Sequence, residues 1–237
     1  MIYLTAATPW ESRPLARILG LSPEGDGLYR GHVDEREVLL IETGMGPLRT
    51  KSTLAALGSR NGHGESDTVL STGFAGALQP GIHAGEIVAD MRGTPVEFVQ
   101  AARAVAEEQN VPLHLGALIS VERVVAEPEE KRRLGLKERA VAVDMESSAV
   151  RAWARARRAN FAVVRSVLDG VDQRLPSRTP KSTALPDIAN YLWSHGRELP
   201  LLLRLAWLQR KVIRTLGRFL DGFISRIDIQ ERNAQHP

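Results

Sequence analysis

Two acidic residues follow apolar runs of the kind that form buried strands. The run Val141–Val143 is followed within three residues by Glu146, and the run Phe161–Leu168 is followed directly by Asp169. A helix-length segment separates the runs, so both carboxylates are expected at one edge of a sheet, where open α/β sheets place their chemistry. There they could act as a general acid or base or bind hydroxyl groups. Taken alone, they could also be a helix-start acid and a loop acid.

Two glycine-rich segments are predicted to bring backbone amides to a ligand. Gly44 and Gly46 form a flexible turn before a helix, and Phe74 stands among small residues in Gly73–Ala77. The first segment lacks the third glycine of a dinucleotide fingerprint, which makes a Rossmann-type cofactor a weak interpretation. The second could support a flat ligand, or Phe74 could simply fill the core.

Strand and helix patterns alternate along the chain. This order predicts an α/β fold in three layers, with a mixed central sheet flanked by helices. Thr8 and Pro9 are typical of a helix start, which places Glu11 in the first helical turn. The predicted strands are 2–6, 28–33, 38–42, 68–72, 86–89, 115–121, 141–143 and a strand from 161, and the predicted helices are 10–19, 47–57, 95–109 and 147–158.

Composition limits the class of protein. A chain of 237 residues, 43% of them hydrophobic, can build one large core. The chain has no cysteine, which excludes disulfides and thiolate chemistry and fits a reducing cytoplasm. Its start reads as a strand and not as a signal peptide, and no apolar run approaches the roughly 20 residues that span a bilayer. The histidine spacing indicates no metal site, and no Gly-x-Ser-x-Gly elbow is present.

Taken together, these motifs resemble the nucleoside phosphorylase and nucleosidase superfamily, in particular its methylthioadenosine/S-adenosylhomocysteine nucleosidase branch. The resemblance covers roughly residues 1 to 176. The motifs that carry it, in the family's order, are Glu11, Thr43–Gly46, Ser71–Gly76, Gly85–Val88, Asp144–Glu146, Arg165 and Asp169.

The resemblance implies a role for each matched residue. Asp169 would protonate the purine at N7, Glu11 would activate water, and Arg165 would orient Glu11. Glu146 would accept hydrogen bonds from the ribose hydroxyls while Met145 packs on the sugar. The residues expected to bind substrate are Glu146, Met145, Phe74, Ala75, Gly76, Val124, Val125, Gly44 and Gly46. Neither a metal nor an organic cofactor is implied, and phosphate would be a co-substrate only in a phosphorylase.

Hydrolysis is favoured over phosphorolysis. Phosphorylases of the superfamily hold phosphate with arginines, one of them just before the glycine segment, where this chain has Ser71 and Thr72. Glu11 would also repel a phosphate dianion. Three arginines remain as alternative phosphate ligands or as solvated helix positions: Arg13, Arg17 and Arg49.

The chain departs from the nucleosidase pattern at three places. Leu168 replaces a serine that could hold Asp169, and Phe74 replaces a small polar residue, which would alter water placement. The segment between Asp90 and Pro95 is much shorter than in typical nucleosidases, where it helps to close the 5′ end of the pocket. An open 5′ end would suit a bulky substituent.

The end of the chain is basic and amphipathic. We therefore divide the chain into a catalytic domain, 1–195, and a helical extension, 196–237. Arg204, Lys211, Arg214 and Arg218 share one face. Apolar residues recur at helical spacing on another: Leu201, Leu205, Leu208, Val212, Leu216, Phe219, Phe223 and Ile227. This extension could touch an anionic membrane surface, or it could pack on the domain or on a partner subunit.

The run 196–205 is similar to the tail of hopanoid-associated phosphorylases, which implies a lipid-linked adenosine such as adenosylhopane as one candidate substrate. Relatives are usually dimers or larger, so a homo-oligomer is expected. The expected location is cytoplasmic, with peripheral contact at the inner membrane face as a variant. A non-catalytic module that binds nucleosides or membranes is the alternative function, and the absence of a nucleic-acid motif disfavours a nucleic-acid partner.

Overall fold

The computed structural model describes residues 1–57, 67–175 and 199–235, and within the last segment it describes side chains from 207 to 227. In this part of the chain ten strands form one mixed sheet. The strands are β1 (Ile2–Ala6), β2 (Ser22–Gly25), β3 (Leu28–Val33), β4 (Arg36–Glu42), β5 (Thr68–Ala77), β6 (Ile87–Asp90), β7 (Leu113–Leu115), β8 (Ala117–Ser120), β9 (Ala140–Asp144) and β10 (Asn160–Asp169). The helices are α1 (Pro9–Ile18), α2 (Pro47–Leu57), α3 (Val96–Glu108), α4 (Pro128–Glu138), α5 (Ser147–Ala156) and α6 (Leu199–Gln235).

The centre of the sheet is parallel. Its main path runs β2-β3-β4-β1-β5-β10-β6-β7, and β1 pairs in parallel with β4 and β5, as does β10 with β5. The antiparallel strand β9 joins the end of β5 through Gly76, and β8 pairs with β9 in parallel. The carboxyl ends of the central parallel strands therefore meet at one edge, where the expected site residues lie.

Helices cover both faces of the sheet, and the three-layer α/β prediction is confirmed. Leu15 of α1, Phe98 of α3 and Phe219 of α6 share the largest core cluster with the strands. Leu54 of α2 and Val150 of α5 pack on the opposite face. The alternation read from the sequence fits because each helix presents one apolar stripe to the sheet.

The long helix α6 is part of the main core over its described side chains. Val212, Leu216, Phe219, Phe223 and Ile227 are all buried. Two glycines of α6 lie where other helices approach closely: a Cβ on Gly217 would lie 2.6 Å from Ile18 of α1, and one on Gly222 would lie 3.2 Å from Val105 of α3. Between packing on the domain and exposure to a membrane, the structure favours packing for this apolar face.

Several local predictions need correction or remain untested. The predicted strand 115–121 covers only the last residue of β7, which pairs with β6, and all of β8, which pairs with β9. Gly116 separates the two strands, and a Cβ on it would lie 2.5 Å from Val141. The elements α4 and β2 were not predicted. Residues 58–66 and the proposed domain boundary at 195 lie outside the described residues. None of the helices in the described segments is long and apolar enough to cross a membrane.

Candidate active site

Glu11 is a buried carboxylate at the start of α1. Its Oε2 accepts hydrogen bonds from the backbone N–H and the hydroxyl of Thr8, each at 2.9 Å, and its Oε1 accepts from the backbone N–H of Phe74, also at 2.9 Å. A Cβ at Gly73 would lie 2.4 Å from Oε1, so only glycine permits this approach. Glu11 thus caps the first turn of α1 and fixes the end of β5 as well.

Among the residues that the structure describes, Arg165 is the largest fully buried side chain, and it contacts several groups of the site. Its Nη1 donates to the carbonyl of Phe74 at 3.0 Å, and its Nη2 donates to the hydroxyl of Ser71 at 3.1 Å. Among the described residues its carboxylate partners are Asp144 and Glu146. The expected pairing with Glu11 is indirect in this structure, because the peptide of Phe74 stands between the guanidinium and that carboxylate.

Asp144 anchors the start of α5. Its Oδ1 accepts from the hydroxyl of Ser120 at 2.6 Å, from the backbone N–H groups of Glu146 and Ser147 at 3.2 Å each, and from the hydroxyl of Ser147 at 3.0 Å. Its Oδ2 lies 2.8 Å from Nε of Arg165, although the two are not aligned as a hydrogen bond. The short distance in a buried place makes this an ion pair that fixes the guanidinium.

Glu146 lies between Arg165 and the glycine turn. Its Oε1 accepts from the backbone N–H of Gly46 at 2.9 Å, and its Oε2 lies 3.7 Å from Nη2 of Arg165. Met145 is half-buried next to Gly46, where a Cβ would lie 4.0 Å from its methyl group. The structure therefore brings together three of the residues expected to bind substrate.

Burial raises the pKa of Glu146. Arg165 and the Gly46 amide oppose this rise, whereas the neighbouring carboxylates of Asp144 and Glu11 add to it. Three buried acids thus surround one guanidinium, and the cluster carries a surplus of negative charge when all are ionised. Such a site favours a ligand that becomes positive.

Asp169, at the end of β10, is buried against the glycine segment of β5. A Cβ on Gly76 would lie 3.2 Å from its Oδ2, so the glycine leaves room for the carboxylate. Its Oδ2 accepts a hydrogen bond from Lys131 of α4. Burial raises the pKa of Asp169, and the ammonium of Lys131 opposes the rise.

The remaining residues that were predicted to bind substrate lie around the residues described above. Phe74 contributes its peptide to the site, while its ring packs against the main core, as the alternative interpretation predicted. Ala75 is buried in a second apolar cluster, and Val125 packs with Leu78 and Val143. Val124, 43% exposed, lies in the same loop as Val125. Gly44 has a φ of 78° and faces the side chain of Arg49.

Sequence reasoning missed Lys131 and the anchoring role of Asp144 with Ser120. Lys131 stands in a polar segment, Glu129 to Arg133, where nothing marks one lysine as buried. The signal for Asp144 was available: an acid just before a helix start accepts N–H groups from the first turn.

Comparisons with known proteins show which proteins this chain is similar to in sequence. The sequence profile of the Phosphorylase superfamily matches residues 2–89 and 94–184. The 5′-methylthioadenosine/S-adenosylhomocysteine nucleosidase of Staphylococcus carnosus is 24% identical over 168 residues, which are 60% of this chain and 72% of that protein.

Solved structures share the fold. Futalosine hydrolase of Helicobacter pylori superposes with a TM-score of 0.68 at 18% identity, over 94% of this chain and 97% of its own. The methylthioadenosine/S-adenosylhomocysteine nucleosidase of Neisseria meningitidis, solved with methylthio-immucillin-A, gives a TM-score of 0.68 at 16% identity over 94% and 97% of the two chains.

Proposed function

The chain belongs to the Phosphorylase superfamily, and on that premise we propose that it hydrolyses the N-ribosidic bond of a 5′-substituted purine nucleoside and releases adenine. The observation that carries the proposal is the cluster of Glu11, Asp144 and Glu146 around Arg165. Breaking an N-ribosidic bond makes the sugar cationic, and buried carboxylates stabilise positive charge in a place from which water is excluded.

Each residue has a defined task in this reaction. The bond between C1′ and N9 breaks, and its electron pair goes to the purine, whose N7 takes a proton from Asp169. Water adds to C1′ and loses a proton to Glu11. Glu146, as carboxylate, accepts hydrogen bonds from the ribose diol and faces the developing positive charge.

The charge of the site supports water over phosphate as the nucleophile. The position that carries an arginine in phosphorylases holds Ser71, which accepts from Arg165, and Thr72, which donates to the carbonyl of Thr5 at 3.0 Å. Arg13, Arg17 and Arg49 are exposed side chains. A phosphate dianion would meet buried carboxylates, because the buried cations of the described residues, Arg165 and Lys131, are already paired with Asp144, Glu146 and Asp169.

The nucleosidases described above are named for two 5′-substituted nucleosides, methylthioadenosine and S-adenosylhomocysteine. We extend this class to adenosines with a long 5′ chain, including a lipid-linked adenosine such as adenosylhopane. Two features support the extension: the short connection between Asp90 and Pro95, and the exposed face of α6, where Trp207 is 65% exposed beside Arg210 and Lys211. We also propose a homo-oligomer, a dimer in the first instance, which analytical ultracentrifugation would test.

Adenine release tests the proposal directly. The purified chain is incubated with methylthioadenosine, S-adenosylhomocysteine, adenosine and a 5′-alkyl adenosine of long chain, each with and without inorganic phosphate. We expect adenine and free ribose derivative in both conditions, with the alkyl compound among the good substrates. The variant Glu11→Gln should lose activity by on the order of 10² to 10⁴, because it cannot take the proton from water.

The outcomes separate the alternatives. Release that requires phosphate and yields a ribose 1-phosphate would replace hydrolysis by phosphorolysis. Release from none of the substrates, together with binding of the nucleosides in calorimetry, would favour a non-catalytic nucleoside-binding module. A preference for methylthioadenosine over the alkyl compound would argue against a lipid-linked adenosine as the substrate.

A further inference from the structure

Lys131 is a charged side chain that the proposed mechanism leaves unused and that the fold buries completely. Its exposed fraction is 0%. Lysine is almost never fully buried unless it is paired. Its ammonium donates to the carboxylate of Asp169, to the carbonyl of Gly170 at 3.1 Å and to the carbonyl of Gln173 at 2.7 Å. The three donors of the group therefore all have acceptors.

The segment after β10 is folded around this ammonium. Gln173 donates its backbone N–H to the carbonyl of Gly170 at 3.1 Å, and Gly170 donates its N–H to the side-chain oxygen of Gln173 at 3.1 Å. Leu175 then donates to the carbonyl of Ala126 at 3.1 Å, which ties the segment to the loop before α4. The result is a closed turn that holds the ammonium, and with it the carboxylate, in one place.

The two oxygens of Asp169 differ in their surroundings. Oδ2 accepts from Lys131, whereas Oδ1 accepts no hydrogen bond from any residue within the described ranges. A Cβ on Gly76 would lie 3.5 Å from Oδ1, so the glycine keeps space beside this oxygen. Leu168 has no hydroxyl to hold the acid, and the lysine supplies that hold instead.

We propose that Lys131 is the positioning residue of the acid: it holds Oδ2 of Asp169, leaves Oδ1 for the purine, and stabilises the carboxylate that remains after the proton has moved to N7. The inference rests on the proposed function, in which Asp169 protonates the leaving base. As the bond to C1′ breaks, the purine gains the electron pair and the proton, and Asp169 becomes negative. A fixed cation beside it lowers the free energy of that state.

Few charged groups surround the pair formed by Asp169 and Lys131. Burial raises the pKa of Asp169, and Lys131 opposes this effect. The strands packed against the acid contribute Gly76 and Val143, which do not titrate.

Three ion pairs at the surface involve other charged groups of α4 and its neighbouring loops, and the charged side chains of Glu129 and Arg133 are exposed. These pairs are Arg132 with Asp172, Arg174 with Glu127, and Arg123 with Glu130. Lys131 is therefore the charge that sets the behaviour of Asp169.

The substitution Lys131→Met removes the charge and keeps most of the volume. We expect kcat for adenine release to fall by on the order of 10 to 100, with KM nearly unchanged, because the acid is misplaced and holds its proton more tightly. The descending limb of the kcat profile should move to higher pH. The matched control is Lys137→Met on the same helix, whose ammonium pairs with Glu138 at the surface, 3.3 Å away; it should change neither quantity.

A second readout requires no substrate. Carbon-13 NMR of the aspartate carboxyls, with Asp169→Asn for assignment, follows the titration of Asp169 in the free protein. We expect Asp169 to titrate at higher pH in Lys131→Met than in the wild type. If Lys131→Met does not fold, Lys131→Gln keeps a donor for the carbonyl cage and should show the same shift.

The two readouts distinguish the failures. A folded variant with wild-type kcat and an unmoved titration of Asp169 would overturn the role of Lys131 while leaving the proposed function intact. If the wild type releases no purine, the proposed function fails, and the NMR titration still decides whether Lys131 controls Asp169.

Discussion

At the scale of single residues, the main feature of the site is a set of buried carboxylates with few cations near them. Glu146 and Asp169 are both 6% exposed or less, and burial raises the pKa of each. Their proposed tasks require opposite ionisation states: Glu146 must be charged to accept from the ribose diol, and Asp169 must carry a proton. A rate maximum between their two titrations follows.

The pH dependence of kcat/KM should therefore be bell-shaped. The ascending limb, where Glu146 ionises, should lie above the usual range of a glutamate, and the descending limb, where Asp169 loses its proton, above the usual range of an aspartate. Glu146→Gln should lower kcat/KM by on the order of 10² and remove the ascending limb. Steady-state rates across pH measure both, with Glu107→Gln, an exposed acid on α3, as the control. An ascending limb that survives in Glu146→Gln would assign it to another group.

The free energy of unfolding should change with pH in a direction that the raised pKa of a buried carboxyl determines. A carboxyl whose pKa is raised in the folded state binds more protons there than in the unfolded chain, so its contribution to the free energy of unfolding falls as pH rises through that range. For Glu146 this fall begins at the pKa of the unfolded chain and is complete above the raised pKa of the folded state. Urea titrations of the wild type and Glu146→Gln across pH would show the difference, with less decline in the variant.

At the scale of elements, α6, which the sequence suggested was a separate extension, forms one side of the hydrophobic core over its described side chains. Phe223 is fully buried, and its ring meets Phe98 edge-on at 5.9 Å and stacks on Phe219 at 6.2 Å. Aromatic contacts of this kind add to the free energy of burial. The helix therefore holds α3 and the sheet together wherever its side chains are described.

Truncation of this helix face should destabilise the whole fold. We expect Phe223→Ala to lower the free energy of unfolding by about 3–5 kcal/mol, because it leaves a cavity in a packed core. Arg214→Ala, on the exposed face of the same helix, should change it by no more than about 0.5 kcal/mol. Chemical denaturation measures both. Equal small effects of the two substitutions would mean that α6 is not part of the core in solution.

The elements also show where sequence patterns stop being informative. The helix α1 and the strands β1 and β10 follow local periodicity and caps and were predicted within a few residues, whereas β5, predicted to end at Thr72, continues through the glycine segment to Ala77. The helix α4 carries charged residues along most of its length, so no apolar stripe revealed it. The strand predicted at 115–121 divides at Gly116 because the two halves pair with different partners, which a local pattern cannot encode.

At the scale of the whole molecule, the described charges are separated. The buried site is acidic, whereas the exposed stripe of α6 carries Trp207, Arg210, Lys211, Arg214 and Arg218. Because the apolar residues from 212 to 227 face the core, any membrane contact by this part of the helix would rest on the tryptophan and the basic residues. Such contact would be electrostatic and sensitive to salt.

Binding to lipid vesicles tests whether the chain makes a peripheral contact with an anionic membrane surface. We expect the chain to co-sediment with vesicles of phosphatidylcholine and phosphatidylglycerol but not with phosphatidylcholine alone, and salt should weaken the binding. Lys211→Gln should lower the partition coefficient about fivefold, as for each basic residue removed near an anionic surface. The control is Lys51→Gln, an equal change of charge on α2. Equal binding of both vesicle types, or of neither, would contradict the proposed contact.

The sequence by itself determined the family, now confirmed by the superfamily match, and the three-layer fold. It also placed Glu11, Glu146 and Asp169 near strand and helix ends, because periodicity, caps and glycine turns are local properties, whereas Arg165 was assigned through the family resemblance. In the structure Glu11, Glu146 and Arg165 lie together, whereas Asp169 lies beside Gly76 and pairs with Lys131.

Only the tertiary structure decided which groups meet. It joined Arg165 to Asp144 and Glu146, set the Phe74 peptide between Arg165 and Glu11, and buried Lys131 beside Asp169. The physical reason is that the cost of burying a charge depends on the acceptors that distant segments bring to it, and no local pattern contains that information.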